Sequence, residues 1–89
     1  MTVAQLFGAN LARCREAAGL SQEDVGIRAE LHRTEISQLE RGLRTPRIDT
    51  LGKLAATLGV TPAELLDGIE WQPAVVQPGG FRASGEAGP

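Results

Sequence analysis

The sequence predicts an all-α fold, a compact bundle of five short helices followed by an irregular C-terminal tail. Three observations carry that expectation. Four glycine–apolar pairs punctuate the chain, Gly19-Leu20, Gly42-Leu43, Gly59-Val60 and Gly68-Ile69. They mark helices that end on a left-handed residue and fold the next side chain back onto the last turn. Between them, apolar residues recur at three- and four-residue spacing, the period of a helix with one buried face. Helix starts are marked as well: Ser21 with Asp24, and Thr61 with Pro62 and Glu64, have the spacing of capping boxes.

The first helix is expected from Thr2 to Ala18, with Leu6 or Phe7, Leu11, Cys14 and Ala18 at core spacing. The second covers about Gln22 to Ala29 and the third about Arg33 to Arg41. Val25, Ala29, Leu31, Ile36 and Leu39 give this pair an inward face, with a tight turn between Ala29 and Arg33. After the loop from Leu43 to Pro46, a fourth helix spans Ile48 to Leu58 and is expected to bury Ile48, Leu51, Leu54, Ala55 and Leu58. A short fifth runs from Pro62 to Leu66. Residues 1–68 read as one domain and contain no expected strand.

Residues 69–89 read as a C-terminal extension, with Pro73, Pro78 and Pro89 breaking any helix. Ile69-Glu70-Trp71 has the character of a short strand, and Pro78-Gly79-Gly80 is a turn signal. A flexible tail is expected beyond about Arg82. Ile69, Trp71, Val75, Val76 and Phe81 are candidates to dock on the domain, on a second subunit or on a protein partner, because exposed aromatics are costly.

Composition narrows the function classes. At 89 residues with only Phe7, Phe81 and Trp71 as aromatics, the chain builds a small aliphatic core. No window approaches 18 uninterrupted apolar residues, and the N-terminus lacks a basic leader before its apolar part. The expectation is therefore a cytoplasmic protein without membrane contact. Lone Cys14 excludes an internal disulfide framework and an all-cysteine metal site, and reads as a buried apolar filler. A histidine pair, a glycine-rich phosphate loop and a nucleophile with a base are all missing, so neither enzyme chemistry nor a cofactor nor a metal is expected. The adjacent acids Glu23 and Asp24 are accounted for by helix capping and the macrodipole.

From the second helix of the Ser21–Gly42 pair, Arg33, Thr34, Ser37 and Gln38 point outward. These side chains are of the kinds that hydrogen-bond base edges and phosphates, which makes sequence-specific binding of double-stranded DNA the leading expectation. The formal net charge of −2 opposes it, but the charge is segregated. Residues 28–53 carry Arg28, Arg33, Arg41, Arg44, Arg47 and Lys53 against Glu30, Glu35, Glu40 and Asp49, a net of +2. Residues 54–89 carry Arg82 against Glu64, Asp67, Glu70 and Glu86, a net of −3. A locally basic face on an acidic protein suits selective rather than indiscriminate adhesion to DNA.

Residues 7–67 resemble the lambda-repressor/Cro-like helix-turn-helix family of bacterial and phage regulators, also called the xenobiotic-response-element family. The resemblance runs through Phe7-Gly8, Leu11, Arg15, Gly19-Leu20-Ser21-Gln22-Glu23, Ile36-Ser37, Leu39-Glu40-Arg41-Gly42, Pro46, Thr50-Leu51, Lys53-Leu54-Ala55, Leu58-Gly59-Val60 and Glu64-Leu65-Leu66. It implies a transcriptional regulator, a repressor above all, that acts as a homodimer on a two-fold-symmetric operator. It implies that Gln22 meets a phosphate and braces the reading helix, and that Arg33, Thr34, Ser37 and Gln38 face the bases. It makes Arg41, Arg44 and Arg47 phosphate clamps, and Arg15 with Glu40 an internal ion pair between the first and third helices. His32 falls at the N-cap of the third helix. The alternative reading is an antitoxin-like or adaptor protein whose C-terminal segment, through Trp71 and Phe81, binds a protein partner.

Two departures from that family stand out. Glu30 occupies the turn position usually held by glycine, where a left-handed backbone costs a residue with a Cβ roughly 1 kcal/mol or more. Gly26 stands where a small alanine is usual, which weakens the second helix.

Overall fold

A computed structural model describes residues 1–75 and 78–83. Five helices follow one another as α1 (Val3–Ala17), α2 (Gln22–Ala29), α3 (Arg33–Glu40), α4 (Ile48–Leu58) and α5 (Pro62–Leu65). Two strands, β1 (Ile69–Gln72) and β2 (Gly80–Ala83), close the described chain as an antiparallel pair. The expected helices and the observed ones agree to within one residue at each end.

Local chemistry explains that agreement. Ser21 and Thr61 cap α2 and α5 through reciprocal bonds with Asp24 and Glu64. Thr2, expected inside the first helix, instead caps it with Gln5 as its partner. Gly19, Gly42, Gly59 and Gly68 all adopt positive φ. Leu20, Leu43 and Val60 then return their N–H groups to the carbonyls of Arg15, Gln38 and Ala55, closing the last turn of each helix.

Phe7 and Leu11 from α1, Val25 from α2, Ile36 and Leu39 from α3, Leu54 and Leu58 from α4 and Leu65 from α5 form one apolar core. α1 packs on α3 and α5, α2 packs on α3 and α4, and the hairpin rests on α1. At two glycines within helices, backbone contacts are closer than any side chain would allow. A Cβ on Gly8 would sit 2.5 Å from the carbonyl oxygens of Leu39 and Glu40, so α1 crosses directly beneath the end of α3. A Cβ on Gly26 would lie 2.7 Å from the Leu31 carbonyl oxygen, so α2 lies as tightly against the turn. Here alanine would not fit, and Gly26 permits the approach. The turn itself passes through Glu30 at φ 55° and ψ 46°, the left-handed conformation expected to strain a non-glycine residue.

Three expectations are corrected. Ile48, placed in the core by its spacing, is 86% exposed, because the buried face of α4 runs through Thr50, Leu54, Ala55 and Leu58. Ala18 is exposed at the cap of α1, and Cys14 is only half-buried against the core. The strand expected at Ile69 is present, but its partner β2 was not foreseen. The tail beyond Arg82 falls mostly outside the described residues, as does Val76.

The carboxylate of Asp24 accepts the Ser21 backbone N–H at 3.0 Å, and this bond, helped by the Ser21 hydroxyl, holds it below the usual carboxylate range. The fold thus favours the ionised form. Its contribution is complete above about pH 4, the unfolded range for aspartate, and fades as pH falls through the depressed folded value. Asp24→Asn should therefore flatten the acid limb of a melting-temperature profile, the two proteins converging at the acid end. Glu30→Gly should raise stability by about 1 kcal/mol by relieving the turn. Gly8→Ala should lower it by at least about 2 kcal/mol, since backbone carbonyls cannot yield; chemical denaturation measures both.

Candidate nucleic-acid interface

The face of interest is built on α3, whose eight residues divide cleanly by period. Ile36 and Leu39 are fully buried, which fixes the roll of the helix about its axis. Arg33, Thr34 and Arg41 consequently stand exposed, with Ser37 and Gln38 half-buried between them. Residues 33, 37 and 41 stack along one side of this face and residues 34 and 38 along the other. His32 precedes the helix with extended backbone, and its Nδ1 accepts the Thr34 N–H at 3.0 Å. The histidine is thus a cap, which commits Nδ1 as acceptor and starts α3 at Arg33.

What aims α3 is a polar node at its far end. Arg15 donates from Nε to Glu40 Oε2 at 2.6 Å and from Nη2 to Oε1 at 3.0 Å, a two-pronged pair. Its Nη1 donates to the Leu20 carbonyl at 2.9 Å, so the guanidinium also closes the α1–α2 turn. The side chains are 15% and 8% exposed, screened enough that the pair is worth more than a surface bridge. Hydrogen bonding to Glu40 raises the Arg15 pKa above its ordinary value, outweighing the opposing effect of burial. Gln22, the first residue of α2, donates from Nε2 to Glu40 Oε1 at 3.2 Å. One carboxylate therefore joins α1, α2 and α3.

The basic residues beyond α3 lie in the loop leading to α4. Arg44 is exposed and donates to Gln38 Oε1 across a long 3.4 Å bond. Arg47, 82% exposed at the N-cap of α4, lies 3.6 Å from Asp49. Glu35 is half-buried on the flank, and no carboxylate lies within 4.0 Å of Arg33 among the described residues. Arg33, Thr34, Ser37, Gln38 and Arg41 thus share one surface, Arg44 and Arg47 border it, and Gln22 buttresses it from α2.

Ile69, Trp71 and Phe81 lie apart, on the hairpin. Trp71 and Phe81 face each other across the strands with ring centroids 5.1 Å apart at 65°, an edge-to-face pair. The hairpin root is fixed by Asn10, a buried residue on the apolar side of α1. Its Nδ2 donates to the Leu65 and Asp67 carbonyls, each at 2.9 Å. Sequence reasoning missed Asn10; a polar residue interrupting the Phe7–Leu11–Cys14 stripe was the available signal. Among the described residues no group of histidine, cysteine, aspartate and glutamate is placed to hold a metal ion, and no helix is long and apolar enough to cross a membrane.

The chain is similar to known proteins. The helix-turn-helix domain family matches residues 6–67. An uncharacterized HTH-type transcriptional regulator of Sinorhizobium fredii, y4dJ, is 44% identical over 66 residues, covering 74% of this chain and 86% of the relative. Control protein C.BamHI of Bacillus amyloliquefaciens is 41% identical over 63 residues, covering 70% and 78% of the two chains. The crystal structure of the restriction-modification controller protein C.AhdI from Aeromonas hydrophila superposes with a TM-score of 0.68 at 37% identity. That superposition spans 70% of this chain and 94% of the controller.

Truncating one partner of the Glu40 node should be far worse than removing both. Glu40→Ala is expected to cost about 3 kcal/mol by stranding a screened guanidinium. Arg15→Met combined with Glu40→Leu should recover most of that loss. A double-mutant cycle by urea denaturation reads the difference, and additive losses would mean the pair carries no coupling.

Proposed function

The chain belongs to the helix-turn-helix domain family of lambda-repressor/Cro type, and we propose that it is a sequence-specific DNA-binding transcriptional regulator rather than an enzyme. In this reading it acts in the cytoplasm as a homodimer on a palindromic operator, with half-sites about one helical turn apart. The single observation that carries the proposal is the division of α3. Its apolar residues anchor it, while Arg33 and Thr34 stand exposed and Ser37 and Gln38 half-buried on one continuous face.

An α-helix fits the major groove of B-DNA, and the first turn of α3 carries the side chains of greatest reach. Arg33, free of any carboxylate within 4.0 Å among the described residues, is suited to grip O6 and N7 of a guanine with both prongs. Thr34 and Ser37 suit a hydroxyl contact to a base edge or phosphate, and the Gln38 amide suits a base edge or phosphate as well. Arg41, Arg44 and Arg47 suit phosphates, which position without specifying, and Gln22 suits a phosphate beside the start of α2.

Repression needs no further machinery, because a dimer seated on a promoter excludes other proteins from the same DNA. The similarity to a transcriptional regulator and to control proteins of restriction-modification systems supports a regulatory role. The antitoxin-like or adaptor alternative draws on the exposed Trp71 and Phe81, which α3 does not use.

Selection from a randomised oligonucleotide pool at low salt should enrich a palindrome, and failure to enrich any sequence would refute the proposal. On the selected site, Arg33→Ala should cost roughly 1–3 kcal/mol and relax preference at one position of each half-site. Arg47→Ala should weaken selected and scrambled DNA alike and flatten the dependence of affinity on salt. Equal losses on both DNAs for Arg33→Ala would remove that residue from the reading face.

A further inference from the structure

Gln38 and Arg44 are joined in the chain alone, before any DNA is present: Arg44 Nη1 donates to Gln38 Oε1 at 3.4 Å. Among the described residues neither side chain makes another hydrogen bond, and no carboxylate lies within 4.0 Å of Arg44. We propose that Arg44 sets which base Gln38 reads. By holding the amide oxygen, it turns Gln38 from a reader of adenine into a reader of guanine. The proposal rests on the DNA-reading role of α3 above and goes beyond it, because there Arg44 meets phosphates alone.

The backbone brings the two side chains together. Gly42 follows α3 with φ 71°, and the Leu43 N–H returns to the Gln38 carbonyl at 3.0 Å. That closure reverses the chain, so residue 44 comes back to the turn of α3 that carries Gln38. α1 braces the reversal: a Cβ on Gly42 would fall 2.7 Å from the Gln5 side chain and 2.9 Å from its Cα. Gln38 is half-buried, which leaves its amide fewer places to go than a surface glutamine has. In water a bond of 3.4 Å is weak, and it settles an orientation rather than stabilising the fold. Docked DNA excludes water from this face, where a charge-assisted bond strengthens.

The chemistry of the pair decides the base. A guanidinium carries N–H donors and no acceptor, so it can hold only the amide oxygen and leaves the amide nitrogen to other partners. A free glutamine reads adenine with both ends at once, its nitrogen donating to N7 and its oxygen accepting from the N6 amino group. With the oxygen held by Arg44, that amino group meets a donor already in place and a positive charge beside it. Guanine presents two acceptors on the same edge, N7 and O6, and its O6 is drawn to the charge that repels an amino group. The remaining N–H groups of Arg44 are left for a phosphate, so one side chain joins backbone position to base identity.

Base preference tests this, and affinity alone does not, since loss of a phosphate contact weakens every sequence alike. The full chain and its variants are carried through the randomised-pool selection. Each is then titrated by fluorescence anisotropy on duplexes that differ at one base pair of each half-site. Gln38→Ala should relax one position, which identifies the base facing Gln38, and the unmutated chain should prefer guanine there. Arg44→Met keeps the apolar stem and removes the charge at an exposed site where folding is not at stake. It should move the guanine-to-adenine ratio at that position about tenfold toward adenine, with an unchanged far-ultraviolet spectrum. In a Gln38→Ala background the same change should only weaken binding uniformly, and that non-additivity is the signature of the pair. An unchanged ratio in Arg44→Met, adenine preferred by the unmutated chain, or a Gln38→Ala that relaxes no position would each overturn the inference and leave the regulator standing. An unmutated chain that enriches no sequence would overturn both together.

Discussion

Glu40 is the constraint on which the orientation of α3 depends. α3 has eight residues, too few to be stable as a helix in water, so its direction is set by what holds its ends. At one end His32 caps it; at the other, the Glu40 carboxylate takes Arg15 from α1 and Gln22 from α2. An acid as the last residue of a helix opposes the macrodipole, which favours positive charge there. The guanidinium of Arg15 reverses that penalty by placing its charge against the same end. Because it also bonds the Leu20 carbonyl, a change at Arg15 is felt in the α1–α2 turn as well as in α3.

Backbone contact reinforces this node. Gly8 lets α1 pass under the carbonyls of Leu39 and Glu40, and Gly26 lets α2 meet the Leu31 carbonyl. Where backbones touch, helix spacing is set by atoms that cannot change rotamer, so α3 is held more rigidly than side-chain packing alone would hold it. The strain at Glu30 belongs to the same arrangement. A left-handed residue there turns the chain sharply enough to bring Leu31 back against Gly26, and the core beneath α2 and α3 holds the conformation in place.

How much of this was legible in the sequence follows from the range of each signal. Ser21, Asp24, Thr61, Glu64 and the four left-handed glycines act within a single turn, so helix limits could be read to within a residue. The exposure of Arg33 and Thr34 on α3 follows from one period and one buried stripe and was equally legible, whereas the half-burial of Ser37 and Gln38 depends on neighbouring elements and was not. Ile48 was not, because periodicity defines a stripe on α4 without saying whether anything lies opposite its first turn. β2 was invisible for a related reason: a four-residue strand has no period of its own, and its pairing with β1 joins Trp71 to Phe81 across a proline-rich connection. Asn10 bonds carbonyls at positions 65 and 67, and no local pattern points so far along the chain.

The charge pattern and the packing order bear on each other. α3 packs against α1 and α2, whereas α5 packs against α1 and α4, so the bundle separates α3 from the segment bearing Glu64 and Asp67. Glu70 continues that acidic segment on the exposed strand β1. A phosphate backbone is attracted by the arginines of residues 33–47 and repelled by the acids of residues 64–70. With a net charge of −2, the protein as a whole gains little from random contact with DNA. For the proposed regulator, affinity then rests on close contacts on one face, where hydrogen-bond geometry discriminates between sequences and net attraction does not.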